Sequence, residues 1–268
     1  MAARILSIAN QKGGVGKTTT AINLASGLAL SNRRVLLVDL DPQSNMTSGV
    51  GAKGQTAPAG TAYEALTTEG TDPAEFVIAS PQVKNLFLIP SDRNLTGAEI
   101  DLVTLPNRES RLKTVLDALR DRFDYIFVDT PPSLGLLTLN ALVAADAVLI
   151  PLNCEYFALE GLADLVATLR RVRASLNPGL DIAGVVLTMY DERTNLGQQV
   201  ARDIRAFFQE RVFDTVIPRN VRLGEAPSHG LPGIVYDAKS RGAEAYLALS
   251  REFLARESAP AQSEHHHG

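Results

Sequence analysis

Short apolar runs alternate with longer stretches of helical period along most of this chain. The apolar runs have the length and continuous hydrophobicity of strands that are buried on both faces of a sheet. They predict strands at residues 4–9, 34–39, 86–90, 125–129, 147–151, 182–188 and 215–218. The other stretches predict helices at residues 18–30, 109–120, 136–144, 158–175, 198–211 and 240–257. This alternation predicts an α/β fold, with a mostly parallel, twisted sheet and helices on both of its faces.

Composition agrees with one large domain. The chain has 268 residues, of which 45% are apolar and 21% charged. We expect a single α/β domain over residues 1–257. Residues 49–61 are rich in glycine, proline and small polar side chains and are predicted to form a surface loop inside it. Residues 258–268, "SAPAQSEHHHG", are predicted to be a flexible tail whose histidines are interpreted as a tag remnant.

Cysteine, charge and the first residues narrow the class of protein. The single Cys154 excludes a disulfide within one chain and a cysteine-rich metal site, unless a second subunit contributes. No signal peptide is expected at the start of the chain, and no apolar window reaches the length of a membrane span. A cytoplasmic protein is therefore expected. The net charge of -4 argues against a surface that is positive overall, but it is compatible with a local basic patch that binds nucleic acid.

The stretch "NQKGGVGKTTTAINLA" at residues 10–25 follows the first predicted strand and begins the first predicted helix. That position is typical of a phosphate-binding loop. Glycines let the backbone amides turn inward around phosphate oxygens, and the helix N-terminus adds a partial positive charge. Lys17 is expected to reach the β- and γ-phosphates of a nucleotide, Thr18 to place its hydroxyl on Mg²⁺ and Thr19 to donate a further hydrogen bond. The predicted nucleotide contacts of this loop are Lys12, Gly13, Gly14, Val15, Gly16, Lys17, Thr18 and Thr19.

Carboxylates follow two of the predicted strands. Asp39 and Asp41 end the second strand, two residues apart and so on the same side of an extended chain, and Asp129 ends a later one. The carboxyl ends of parallel strands meet at the edge where ligands of open α/β sheets bind. Asp129 suits a residue that holds Mg²⁺ through its water shell. Together with the loop, these residues predict a site for ATP and Mg²⁺.

The segments K-G-G-V-G-K-T-T, D-L-D-P-Q and D-T-P-P-S resemble those of phosphate-loop ATPases with a deviant Walker A motif, and within them the ParA/Soj chromosome- and plasmid-partition proteins. The likeness continues through "PPSLGLLTLNAL", "CEYFALEGL", "LTMYDERTNLG", "VIPRNVRLGEAPSHG" and "YDAKSRGAEAYL". It runs from about residue 5 to residue 254, nearly the whole chain. Motifs so long and so numerous are highly specific.

This resemblance implies a dimer that closes around two ATP molecules, with Lys12 reaching the partner's nucleotide. A cation supplied from a second subunit stabilises charge on the transferred phosphoryl group, as arginine fingers do, by roughly 10³- to 10⁵-fold in rate. Asp41 matches the residue that positions the attacking water, and Asp39 would help with Mg²⁺ and loop geometry. Thr18 and Asp129 complete the expected metal site.

The resemblance also assigns residues outside the loop. Pro218 and Asn220 match the segment that holds adenine. Glu155 is expected to reach the nucleotide across the dimer interface.

Members of this family bind double-stranded DNA without sequence preference when dimeric. Basic side chains that contact phosphates give this kind of affinity, which falls steeply with salt. A ParB-type centromere-binding protein is the implied partner that stimulates an otherwise slow ATP hydrolysis, so a nucleoid-associated location follows. Because the loop begins at residue 11, no amino-terminal operator-binding domain is expected. The matching basic residues here are Arg193, Arg219, Arg222, Lys239 and Arg241.

Three other classes share the loop. A MinD-like membrane-cycling ATPase needs a basic amphipathic helix at its carboxyl end, whereas "LSREFLARESAPAQSE" is mixed in charge and broken by Pro260. A nitrogenase-reductase-like electron carrier needs two cysteines per subunit, and this chain has only Cys154. A ligase such as dethiobiotin synthetase would need a substrate segment, and none is found beyond the loop. The MinD-like class is the main alternative.

Overall fold

The structure is a computed structural model that describes residues 2–155 and 158–258. The predicted tail falls outside the described residues, apart from its first residue, Ser258. No helix in the described part of the chain is both long and apolar enough to cross a membrane.

A seven-stranded sheet forms the centre of the described chain, in the order β3-β4-β2-β5-β1-β6-β7. Its strands are β1 (Arg4–Ile8), β2 (Val35–Asp39), β3 (Ile78–Ala79), β4 (Leu86–Ile89), β5 (Tyr125–Asp129), β6 (Ala147–Asn153) and β7 (Asp181–Thr188). All neighbouring strands are parallel except β3, which runs antiparallel to β4 at the edge. The prediction of a mostly parallel sheet is confirmed.

Helices cover both faces of this sheet, as predicted. They are α1 (Lys17–Leu30), α2 (Asn45–Gly49), α3 (Ala62–Thr67), α4 (Leu95–Thr104), α5 (Arg111–Asp117), α6 (Leu136–Ala144), α7 (Ala158–Ser175), α8 (Asn195–Phe208), α9 (Val221–Glu225), α10 (Gly233–Tyr236) and α11 (Arg241–Ser258). One core contains side chains from α3 to α8, and the other contains side chains from α1, α2 and α9 to α11. Successive residues of a strand point to opposite faces, so Ile5 lies in the first core and Leu6 in the second.

The predicted strand at residues 215–218 is wrong. That segment makes an isolated bridge between Pro218 and Tyr190, and the Ile217 N–H donates to the Leu187 carbonyl on β7 at 2.8 Å, but the segment forms no strand. The reason lies in the preceding residues: the backbone N–H groups of Asp214 and Thr215 donate to the two carboxylate oxygens of Glu252 on α11, at 2.8 and 2.9 Å. These donors are therefore not available to a strand ladder.

The predicted surface loop at residues 49–61 is also partly wrong. Val50 and Ala52 are completely buried, and residues 45–49 form α2. Five short helices were not predicted, namely α2, α3, α4, α9 and α10. One of them had a local signal, because Thr61 and Glu64 form a capping box at the start of α3.

Candidate active site

The glycine-rich loop lies at the carboxyl edge of the sheet, between β1 and α1. Gly14 and Gly16 have φ angles of 73° and 86°, in the left-handed region that glycine adopts without strain. Gly16 is also the N-cap of α1, and it has no side-chain cap. The first N–H groups of a helix lack intrahelical partners, so they are free to bind an anion at this end.

Two side chains fix the path of the loop. The Thr188 hydroxyl at the end of β7 donates to the Val15 carbonyl at 2.8 Å. The ammonium group of Lys17 donates to the Lys12 carbonyl at 3.3 Å, a long bond. Lys17 is 7% exposed, and its burial lowers the pKa of the ammonium group, an effect that the carboxylates of Asp129 and Asp41 oppose. Within the part of the chain that the structure describes, Lys17 is thus a buried cation with one weak hydrogen-bond partner.

Thr18 and Asp129 form the centre of the predicted metal site. The Thr18 hydroxyl donates to Oδ2 of Asp129 at 2.6 Å. Asp129 is 1% exposed, and its Oδ1 has no hydrogen-bond partner among the described residues. Burial and, to a smaller extent, the nearby carboxylate of Asp39 together raise the pKa of Asp129 to about 8. A buried carboxylate oxygen without a donor is a ready ligand for a cation or for its bound water.

Asp39 is occupied by the chain's own hydrogen bonds. Its Oδ2 accepts from the backbone N–H and the hydroxyl of Thr47, at 2.8 and 2.7 Å. Its Oδ1 accepts from the N–H of Asp41 at 3.1 Å. Burial raises the pKa of Asp39 to about 6, although these hydrogen bonds lower it. In this structure Asp39 therefore holds α2 and the Asp41 backbone in place.

Two cavities meet at the loop. The one we call the loop cavity has a volume of about 440 Å³ and is lined by Gly13, Gly14, Gly16, Lys17, Thr18, Thr19, Asp41, Gln43, Asn45, Pro132 and Met189. The one we call the side cavity has a volume of about 320 Å³ and is lined by Gly16, Thr19, Thr188, Met189, Ile217, Pro218, Arg219, Asn220, Val221, Leu223, Gly224 and Tyr246. They share Gly16, Thr19 and Met189. A polar cavity at a helix N-terminus and an adjoining, more apolar cavity fit the phosphates and the base of one nucleotide.

Lys12 and Glu155 lie together at the rim. The Lys12 ammonium group is 3.1 Å from Oε2 of Glu155, and Arg219 approaches the other carboxylate oxygen at 3.6 Å. The side chains of Lys12 and Glu155 are 33% and 50% exposed. The lysine predicted to act across a dimer is thus paired within its own chain here, by an exposed contact of a kind worth about 0.2–1 kcal/mol.

Comparison with known proteins identifies the family. Residues 3–182 match the family model described as an AAA domain. The chain is 54% identical to the chromosome partitioning protein ParA of Myxococcus xanthus, over 95% of this chain and 89% of that protein. It is 53% identical to the sporulation initiation inhibitor protein Soj of Bacillus subtilis, over 94% of this chain and 98% of that protein. The chain belongs to the ParA/Soj family.

Solved structures agree with this ParA/Soj assignment at the level of fold. The crystal structure of cobyrinic acid a,c-diamide synthase from Mycobacterium smegmatis, with bound ATP analog and magnesium, superimposes with a TM-score of 0.82. It is 35% identical in sequence and covers 96% of each chain. The resemblance predicted from the sequence motifs is confirmed by the family comparisons.

The ParA/Soj resemblance implies two residues as contacts of the nucleotide base. Pro218 and Asn220 both line the side cavity. The Asn220 side-chain oxygen is already used, since it accepts from the N–H groups of Arg222 and Leu223 and so caps α9. Its Nδ2 makes no hydrogen bond within the described part of the chain, so the amide is left with donors to offer a ligand.

Of the five predicted DNA contacts, Arg219 lines the side cavity, and the five differ in their ion pairs. Arg193 is bidentate on Asp191, and Arg222 pairs with Glu225 at 2.9 Å and with Asp237 at 3.4 Å. Arg219 approaches Glu155. Lys239 and Arg241 are exposed and form no ion pair within residues 2–155 and 158–258.

Sequence reasoning missed several residues that build the site. Thr47 lies outside the segments that carry the resemblance, whereas Thr188, Met189 and Tyr246 lie inside them without an assigned role. The four residues reach the site from three separate parts of the chain. Met189 has a φ of 50°, which is unusual for a residue other than glycine, and it forms part of the wall of both cavities. Pro132, in the D-T-P-P-S segment, also lines the loop cavity.

Proposed function

We propose that this chain is a Mg²⁺-dependent ATPase that partitions chromosomes or plasmids, and that its ATP-bound form is a dimer held on DNA. The observation that carries the proposal is the junction of the two cavities at the N-terminus of α1, with the Thr18–Asp129 pair beside it. The name of the Mycobacterium smegmatis structure records an ATP analog and magnesium in the same fold.

The residues present fit a magnesium ion. Thr18 and Asp129 are in contact, and Oδ1 of Asp129 lacks a donor among the described residues. When bound, the ion withdraws charge from the β- and γ-phosphate oxygens. Asp129 must be ionised to serve it, and the raised pKa means that the carboxyl is protonated over much of the range below pH 8 in the absence of a cation.

Lys17 is placed to bind the phosphates of ATP, and Asp41 is placed to orient the attacking water. Among the described residues Lys17 has only the Lys12 carbonyl as a hydrogen-bond partner, so its ammonium group can turn to the phosphates at little cost. Asp41 lines the loop cavity, and its backbone is held on one side by Asp39 and on the other by the Ser91 hydroxyl, which donates to the Asp41 carbonyl at 2.9 Å. A carboxylate held in this way can accept a hydrogen bond from a water molecule and so orient it for attack on the γ-phosphate.

The proposed dependence of ATP hydrolysis on a second copy of this chain rests on Lys12. Its ammonium group is partly exposed and held by a single carboxylate, so it can leave Glu155 and reach a nucleotide in a facing subunit. Hydrolysis then requires dimerisation, and it stays slow until a ParB-type partner completes the site. The basic side chains contact DNA phosphates, and a dimer has twice as many of these contacts as one subunit. They are Arg193, Arg219, Arg222, Lys239 and Arg241. Because these contacts hold the protein on DNA, we propose a cytoplasmic, nucleoid-associated location.

The MinD-like alternative has less support. Its membrane helix must present a free apolar face to lipid. In α11 the apolar residues Tyr246, Leu249 and Phe253 are fully buried in the core that α1 shares. The apolar side of α11 is therefore covered by the protein itself.

The proposal is tested by measuring retention on double-stranded DNA beside sedimentation with anionic liposomes, each with ATP, ADP or no nucleotide and with Mg²⁺. We expect ATP-dependent retention on DNA and no sedimentation with liposomes. The Asp41→Ala variant is expected to bind ATP, dimerise and stay on DNA longer than the wild type, because hydrolysis is lost. Sedimentation with liposomes but no DNA retention would contradict the partition function, and a monomeric Asp41→Ala protein with ATP would contradict the role of Asp41.

A further inference from the structure

Asn10, the first residue of the phosphate-loop stretch, joins the loop to β6 through its side chain. It is 5% exposed, and both ends of its amide are used. Nδ2 donates to the Pro151 carbonyl on β6 at 2.8 Å, and Oδ1 accepts from the backbone N–H of Lys12 at 3.0 Å. A single buried side chain therefore links the strand that ends near Glu155 to the backbone of Lys12.

The position of the bond to the Pro151 carbonyl explains why residue 10 has an amide side chain. The ladder between β1 and β6 runs through Ile8 opposite Leu149, and the Ala9 N–H donates to the Leu149 carbonyl at 3.2 Å. In a parallel ladder the next donor on this side would be the N–H of residue 11, opposite the carbonyl of residue 151. The chain has already turned into the loop by then, so the Asn10 amide supplies the donor for that buried carbonyl.

We infer that Asn10 is a positioning residue that sets the aim of Lys12, an inference that rests on the cross-subunit role proposed for Lys12. The Lys12 peptide is held at its N–H by Asn10 and at its carbonyl by Lys17, at 3.0 and 3.3 Å. When Lys17 turns to phosphates, the Asn10 bond is the side-chain hold that remains on this peptide. Asn10 then fixes the point from which the Lys12 side chain extends into a facing subunit.

β6 thus reaches Lys12 at two places. Asn10 connects Pro151 of β6 to the Lys12 backbone, and Glu155, two residues after the end of β6, pairs with the Lys12 ammonium group. The pairing with Glu155 is exposed and easily broken, whereas the Asn10 bond to Pro151 is buried and its bond to the Lys12 N–H is partly buried. The side chain can therefore leave while its backbone stays fixed.

The test compares Asn10→Ala, Lys12→Ala and the double variant in steady-state ATP turnover with Mg²⁺ and double-stranded DNA. For Asn10→Ala we expect kcat to fall about tenfold while the KM for ATP changes less than about threefold, since a misdirected Lys12 affects the reacting state rather than ATP binding. In the Lys12→Ala background the same substitution should have no further effect, because both act through one side chain.

The matched control is Asn140→Ala. Asn140 is also fully buried, and its amide joins the Leu112 N–H to the Arg108 and Leu136 carbonyls away from the loop. It is expected to lower the melting temperature without lowering kcat at a temperature where the protein is folded. A fall in kcat for Asn140→Ala as large as that for Asn10→Ala would reduce the Asn10 effect to general loss of packing.

The outcomes separate this inference from the proposed function. If Lys12→Ala turns over ATP at the wild-type rate, the cross-subunit role of Lys12 fails. If Lys12→Ala loses activity but Asn10→Ala keeps its kcat, the inference about Asn10 is wrong while the function stands. An Asn10→Ala protein whose KM rises as much as its kcat falls also overturns it. Where the Lys12→Ala rate is too low to measure, the inference is decided by whether Asn10→Ala changes kcat more than the KM for ATP.

Discussion

Asp39 and Asp129 lie directly opposite each other on the neighbouring parallel strands β2 and β5, and both are buried. Two carboxyl groups so placed disfavour each other's ionisation, which is why Asp39 contributes to the raised pKa of Asp129. Ionising both carboxyl groups is unfavourable when no cation is bound between them, and it becomes favourable when a cation is bound. The Mg²⁺ ion that we propose at this edge of the sheet would relieve the repulsion between the two carboxylates.

The first prediction concerns pH and stability in the absence of nucleotide and metal. Between the ordinary pKa of an aspartate, 3.8, and about 8, folded Asp129 keeps a proton that the unfolded chain has released. Raising the pH through this window should therefore lower the free energy of unfolding. Asp39 contributes in the same direction up to about pH 6. Urea unfolding of wild type and Asp129→Asn from pH 5 to pH 8.5 checks this, and Asp129→Asn should flatten the curve above pH 6. An equally steep decline in the variant would contradict the raised pKa.

The second prediction concerns Thr18. Thr18→Val removes the hydroxyl that donates to Asp129 at 2.6 Å and keeps the shape of the side chain. We expect ATP affinity measured with Mg²⁺ to fall at least tenfold, about 1.4 kcal/mol, and to become nearly the same with Mg²⁺ or with EDTA. Thr114→Val on α5 is the control, because its hydroxyl donates only to the Ser110 carbonyl. Full Mg²⁺ dependence in Thr18→Val would remove Thr18 from the metal site.

The third prediction separates two roles of Asn220. Asn220→Asp keeps an oxygen that can cap α9 but lacks the Nδ2 donors, whereas Asn220→Ala loses both. Asn220→Ala should lose about 1 kcal/mol of stability, as for other lost N-caps, and Asn220→Asp much less. Both variants should bind ATP more weakly if Nδ2 donates to the base. Calorimetric unfolding and ATP titration measure the two effects, and wild-type ATP affinity in Asn220→Asp would exclude a base contact through Nδ2.

The fourth prediction concerns the basic surface. Lys239→Ala and Arg241→Ala should each weaken DNA binding and reduce the slope of log affinity against log salt by about 1 per lost phosphate contact in each subunit. Arg193→Ala should have a smaller effect, because Asp191 already pairs with that guanidinium. Asp191→Asn should strengthen DNA binding by freeing Arg193. Anisotropy titrations between 50 and 200 mM salt test all four variants, and an Arg193→Ala effect larger than that of Arg241→Ala would reverse this ranking.

The strands of the sheet centre could be predicted because they are buried on both faces, which makes them continuous apolar runs in the sequence. β3 could not, because two residues at a sheet edge leave no run to detect. The segment at residues 215–218 has the apolar character of a strand, yet Glu252 on α11 takes its neighbouring donors. No pattern near residue 215 contains that information.

The sequence by itself determined the phosphate loop, because glycine conformations and a helix N-terminus are local properties of a short stretch. It also determined which carboxylates end strands, since each follows its own apolar run. Only the tertiary structure decided that Asp39 lies beside Asp129, that Asn10 completes the ladder of β6, and that Glu155 holds Lys12. These contacts join residues far apart in the chain, and strand order, which no single stretch specifies, brings them together. The same holds for the cavity walls at Met189 and Tyr246, which depend on where β7 and α11 pack against α1.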